Sequence, residues 1–143
     1  MQELEDELLA NFVLYSSEGV NIGNNRKHDN PRHLNRAEEF ICGNLHRPIT
    51  RDQLAEVSSR SIRSLSRSFN KKYGMGPMTF IKQRRLDAAY LDLLSAKSDV
   101  TSVTQVAFKY GFSHVGKFAI EYAKAFGESP SNSLKRRVVN YRI

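Results

Sequence analysis

The chain contains a partial copy of itself, and this constrains its fold more than any other feature. Gln53-Leu54-Ala55 recurs as Gln105-Val106-Ala107, and Ser61 as Ser113, both 52 residues on. Leu65 recurs as Phe118, Phe69 as Tyr122, Gly74 as Gly127 and Pro77 as Pro130, all 53 residues on. Self-similarity at a fixed spacing means that one supersecondary unit is built twice. The one-residue slip is placed in the turn between Ser61 and Leu65, because a helix interior would not absorb it. Each copy reads as a short helix, a tight turn, a longer helix and then Gly-x-x-Pro. Ala55 and Ala107 are small where two helices must cross closely. Gly111 can take a positive φ in its turn without Cβ strain. Leu65 with Phe69, and Phe118 with Tyr122, are four residues apart and so pin one face of the longer helix inward. This is the logic of a helix-turn-helix, which leaves the other face of its second helix free for a DNA major groove. The alternative is a pair of ordinary αα-hairpins; two related copies in a basic chain favour DNA.

The rest of the chain reads as helical too. Residues 2–15 place Leu4, Leu8, Leu9, Phe12 and Val13 on one stripe beside four acidic residues, an amphipathic helix suited to a partner. Residues 16–30, rich in Gly, Asn and Ser, read as a flexible linker. Asn30-Pro31 caps and opens a helix with Leu34, Ala37, Phe40, Ile41 and Leu45 on one face. Thr50 caps a helix to Val57, and Ser61 caps one to Lys72 that Gly74 stops. The longest periodic run is 77–96, with Phe80, Ile81, Ala88, Leu91 and Leu94 facing inward. A weak break at Ser98-Asp99 precedes the second helix pair, and Ser129-Pro130 opens a last helix to about Arg137. No window alternates with period two. The expected fold is therefore all-α: a first helix-turn-helix at about 50–73, a linker helix at 77–96 and a second helix-turn-helix at about 102–126. The two lobes should be homeodomain-like. A 20-residue linker helix is about 30 Å long, close to the roughly 34 Å between successive major grooves on one side of B-DNA.

Charge separates the two parts of the chain. Residues 1–30 carry two basic and six acidic residues, a net of −4, whereas 31–143 carry twenty basic and nine acidic, a net of +11. A positive domain attracts polyanions by steering and counterion release, although membranes and acidic proteins attract the same sign. No apolar run is long enough to span a bilayer. The acidic N-terminus is unlike a signal peptide. The single cysteine, Cys42, reads as a small core residue of a protein in a reducing cytoplasm. His28, His33 and His46 form no metal-ligand pattern. No cofactor is expected. Nucleophile elbow, phosphate loop and clustered carboxylates are all missing, so the chain is not expected to be an enzyme.

The segments LAEVSSRSIRSLSRSFNKKYGMGP and VTQVAFKYGFSHVGKFAIEYAKAFGESP resemble the first and second helix-turn-helix of AraC/XylS regulators, and GFSHVGKFAIEY is most similar to the XylS-like branch. The resemblance covers about residues 33–137. It implies two helix-turn-helix lobes on one long helix, a role as a transcription regulator and activator on double-stranded DNA, and bacterial RNA polymerase as a partner. ELEDELLANFVLYSS resembles the tail of the family's upstream sensing and dimerisation domain. On that reading the chain lacks the sensor, and any small-molecule effector acts only through that absent domain. The alternative is a stand-alone short regulator with an N-terminal extension. Two positions depart from the family pattern. Arg60 stands where an apolar turn residue is usual, and Ile120 where many members have a polar base reader, so the second head should read DNA weakly or contact a thymine methyl.

By the resemblance, Arg63, Ser66 and Arg67 match the base-facing positions of the first recognition helix. Lys117 and Ile120 match those of the second, with His114, Gly116 and Glu121 near the edge. Arginine can bond bidentately to guanine O6 and N7. Gly116 would let the backbone approach DNA. Glu121 could accept from cytosine N4 or pair with a neighbouring lysine. Phosphate contacts are expected at Arg51, Lys71, Lys72, Lys82, Lys135 and Arg136, each also readable as plain surface charge. A non-specific architectural or RNA-binding protein is the competing function.

Overall fold

The structure, a computed structural model, describes residues 31–96 and 100–136. The amphipathic stripe of residues 2–15, the linker of 16–30, the Asn30 cap, the Ser98-Asp99 break and Arg137 lie outside the described residues. Seven helices and no strand occur among those described: α1 (Pro31–Gly43), α2 (Arg51–Ser58), α3 (Ile62–Tyr73), α4 (Pro77–Ser95), α5 (Val103–Lys109), α6 (Val115–Phe126) and α7 (Pro130–Arg136).

The repeat is a repeat of start and stop signals as well as of apolar residues. Thr50 accepts from the Gln53 backbone N–H at 3.2 Å while the Gln53 side chain accepts from the Thr50 N–H at 2.9 Å. Ser102 and Gln105 do the same for α5, both at 3.1 Å. The recurring glutamine thus completes a capping box that satisfies two otherwise orphaned donors. Gly74 and Gly127 end α3 and α6 with φ of 68° and 72°, the left-handed cap that glycine takes without penalty.

The slip falls earlier than the repeat suggested. Ser59 and Gly111 occupy equivalent left-handed turn positions, with φ of 55° and 81°. The next residues, Arg60 and Phe112, donate to Ala55 and Ala107 respectively. All of these are 52 apart, but the cap residues of α3 and α6 are Ser61 and His114, which are 53 apart. Ser113 is therefore the extra residue, and His114 is the true counterpart of Ser61. Ser61 accepts from the Ser64 N–H at 3.2 Å, whereas His114 makes no side-chain cap.

A non-glycine residue in the left-handed region costs about 1–2 kcal/mol, which glycine's larger unfolded-state entropy partly offsets. Ser59→Gly should raise the urea-derived stability by about 0.5–1 kcal/mol, and Gly111→Ala should lower it by a similar amount or more. An Ser59→Gly variant less stable than wild type would refute this account of the first turn.

In α1, Ala37 and Ile41 are fully buried; His33 Nδ1 lies 2.5 Å from the Ser58 carbonyl, joining α1 to the end of α2. Cys42, read as a core residue, is exposed, because it falls beside the buried stripe rather than on it. In α4, Phe80, Ile81 and Ala88 are buried as expected, but Leu91 and Leu94 are only half-buried and Leu86, Ala89, Tyr90 and Leu93 are covered instead. The cause is that α4 packs against both lobes and so has no single inner stripe. Its first half joins the first lobe, where the Phe80 ring lies 5.1 Å from Phe69 and 4.6 Å from Tyr73. Its second half joins the second lobe, where Tyr90 stacks on Phe126 at 4.4 Å. Between them, the Arg85 guanidinium donates to the Arg47 carbonyl at 2.7 Å and lies against Gly111. The His46 ring packs 5.1 Å from Tyr110. The two lobes are thus joined by side-chain contacts as well as by α4.

Candidate nucleic-acid interface

On α3, Leu65 and Phe69 are buried to 1% and 0% exposure, which turns the opposite face outward. Arg63 and Arg67 stand exposed on that face, one turn apart. Ser66 is half-buried on its flank, less available than its sequence match implies. Asn70 and Lys71 continue the exposed face toward the C-terminus; sequence reading missed Asn70 as a base-side candidate, although its spacing from Arg63 and Arg67 was the available signal.

On α6, Phe118 and Tyr122 play the parts of Leu65 and Phe69, at 1% and 0% exposure. With these as reference, Gly116 corresponds to Arg63, Lys117 to Ser64, Ile120 to Arg67 and Lys124 to Lys71. Gly116, Lys117, Ile120 and the cap residue His114 are all exposed, and Ile120 is 60% exposed, unusual for a large aliphatic side chain. A Cβ on Gly116 would meet nothing within 4 Å, so internal packing gives no reason for glycine there. Lys124 is exposed on the same face and was missed, although its seven-residue spacing from Lys117 marks it. The two heads share one framework and present different chemistry: guanidinium groups on the first, a bare backbone, an aliphatic side chain and lysines on the second.

Of the cations expected at phosphates, Arg51, Lys71, Lys72, Lys82 and Lys135 are exposed and Arg136 is half-buried. Lys72, Lys82 and Arg136, read as open clamps, already face carboxylates. Lys72 bonds Glu38 at 3.0 Å and lies over the Tyr73 ring at 5.1 Å, while the Tyr73 hydroxyl donates to the same carboxylate. Glu38 is nearly buried, and a buried carboxylate needs such partners. Lys82 of α4 meets Glu121 of α6 at 2.7 Å. Arg136 pairs with Glu128 and donates to the Tyr90 hydroxyl at 3.3 Å, in a network where Tyr122 donates to Ser133 at 2.6 Å and Ser133 to Glu128 at 2.7 Å. Burial pushes the Tyr122 phenol well above its usual range, which keeps it a donor. Lys72 thus ties α3 to α1 within the first lobe, and Arg136 ties α7 to α4 within the second.

Among the described residues, no three His, Cys, Asp or Glu side chains are grouped to hold a metal ion, and no helix is long and apolar enough to cross a membrane.

A family described as a helix-turn-helix domain matches residues 54–136, from within α2 to the end of α7. The solved structure of a probable AraC family transcriptional regulator from Rhodopseudomonas palustris is 39% identical, with a TM-score of 0.67 over 73% of this chain and 96% of that one. The chain belongs to the AraC/XylS family. Other AraC/XylS relatives agree. The XylDLEGF operon transcriptional activator 2 of Pseudomonas putida is 41% identical over 99 residues, which cover 69% of this chain and 63% of that protein. The XylDLEGF operon transcriptional activator 1 of the same species is 41% identical over 106 residues, 74% of this chain but only 32% of the relative. An AraC-type regulator structure from Chromobacterium violaceum superposes with a TM-score of 0.68 at 25% identity. This chain thus carries the DNA-binding domain of AraC/XylS transcription regulators and spans about a third of the length of several relatives.

Proposed function

We propose that the chain is the reading head of a transcription activator that sets α3 and α6 in successive major grooves on one side of a single duplex. The observation that carries the reading is the pair of outward faces, Arg63 with Arg67 and Lys117 with Ile120, borne by equivalent helices of one folded unit. In this assignment Arg63 and Arg67 meet guanine, and Ser66 and His114 contribute at the edges. Gly116 lets the backbone of α6 approach the bases, and Ile120 lies against base edges. Arg51, Lys71 and Lys135 take phosphates. Activation, as in the named Pseudomonas relatives, implies contact with RNA polymerase in the cytoplasm, and an effector would act through a separate sensor domain such as the family's longer members carry.

Binding of this kind depends steeply on salt. A basic unit clamping about 6 to 8 phosphates has a log–log slope of about −5 to −7. The deciding experiment selects a preferred site from randomised duplex, footprints it, and measures affinity against salt. A protected region of about two helical turns with that slope is expected. A slope shallower than about −2, or protection that spreads without a preferred site, would show non-specific coating instead.

A further inference from the structure

Lys82 and Glu121 meet across a groove of about 250 Å³ between α4 and the second helix-turn-helix. Arg85, His114 and Lys117 also line it, and Glu121 supplies the one carboxylate among the residues around it. The lysine is half-exposed and the glutamate side chain 18% exposed. The half-exposed ammonium keeps much of its hydration, so passing from one anion to another costs it little. Lys72–Glu38 and Arg136–Glu128 differ in that their carboxylates also accept from the Tyr73 and Ser133 hydroxyls. Glu121 also sits one turn after Lys117, on the flank of the DNA-facing side of α6.

We infer that Glu121 is a specificity-determining residue that works by charge exchange. On unrelated DNA it keeps Lys82 occupied, and over its preferred site it turns to a cytosine N4 amino group and releases Lys82 to a backbone phosphate. The inference rests on the DNA-reading role proposed for α6. Its physical basis is that non-specific binding is held by phosphates alone. A carboxylate at the edge of the recognition helix withholds one lysine from that grip and repels the nearby phosphate. A carboxylate also accepts from cytosine N4 in the major groove. When such a base is in reach, Glu121 keeps a hydrogen-bond partner as it leaves Lys82, and the freed ammonium gains a phosphate. The correct base is thus converted into one extra phosphate contact.

The test compares wild type, Glu121→Gln, Lys82→Gln and the double variant on the selected site and on an unrelated duplex of equal length, across salt concentrations. Wild type should show a salt slope about 0.9 steeper on its selected site than on unrelated DNA, over and above any difference retained by Lys82→Gln. Glu121→Gln should bind unrelated DNA about 3- to 10-fold more tightly, with a slope steeper by about 0.9. The double variant should lose that gain. Replacing the contacted cytosine should weaken wild type and leave Glu121→Gln nearly unaffected. An unchanged non-specific slope in Glu121→Gln would overturn the inference, as would an equal gain on both duplexes. If wild type selected no site at all, the proposed function itself would fail, a result distinct from either of these.

Discussion

Replacing Arg63 with alanine should relax base preference at one or two positions of the operator while leaving non-specific binding in place. A bidentate arginine–guanine pair discriminates by about 1–3 kcal/mol, so the loss should be about 5- to 150-fold at the affected base pair. The position equivalent to Arg63 in the second head is Gly116, and that of Arg67 is Ile120. Neither carries a hydrogen-bonding side chain. The first head should therefore supply most of the sequence preference. Lys117 can hold a phosphate as readily as a base, so Lys117→Ala should instead weaken all duplexes about evenly and flatten the salt slope by about one unit. Randomised-site selection with wild type and both variants decides the matter. A motif unchanged by Arg63→Ala but shifted by Lys117→Ala would reverse the two roles.

The largest effect on stability is expected at Tyr122. Its ring has no exposed surface and lies within 4.8 Å of Phe126 and 5.6 Å of Phe118, centroid to centroid. Its hydroxyl begins the chain of hydrogen bonds through Ser133 to Glu128. Removing a buried aromatic ring costs about 3–5 kcal/mol, a large share of the 5–15 kcal/mol typical of a small domain. Tyr122→Ala should therefore lower the urea midpoint steeply. Tyr122→Phe removes only the hydroxyl and should cost about 1–2 kcal/mol. Equal losses in the two variants would mean that the polar network, and not the ring packing, holds α6 to α4 and α7.

Much of this was readable in the sequence because the determinants are local. The caps at Thr50, Ser61, Gly74 and Gly127 act within one turn of themselves, and the i,i+4 pairs Leu65–Phe69 and Phe118–Tyr122 declare the inner faces of α3 and α6. What escaped depends on partners distant in the chain. Leu91 and Leu94 were expected inside because period 3.6 assumes one buried face, and α4 serves two cores. Lys72, Lys82 and Arg136 look identical to solvent-exposed cations until the fold brings Glu38, Glu121 and Glu128 to them. Ser113 matched Ser61 in type, but only backbone geometry distinguishes a cap from an inserted turn residue. Arg63, Arg67, Gly116, Lys117 and Ile120 were readable as outward-facing because each lies off the inner i,i+4 pair of its helix, and all five are exposed.

The inequality of the two heads gives the molecule a direction. A two-fold dimer laid on a palindrome presents the same face whichever way its site is written. Here an arginine-bearing lobe and an aliphatic, lysine-bearing lobe sit at opposite ends of α4, tied through Arg85 to the Arg47 carbonyl, and no rotation exchanges them. Bound to a duplex, the unit has an upstream end and a downstream end. Inverting its site would keep every base contact and yet point the opposite end toward the start of the gene.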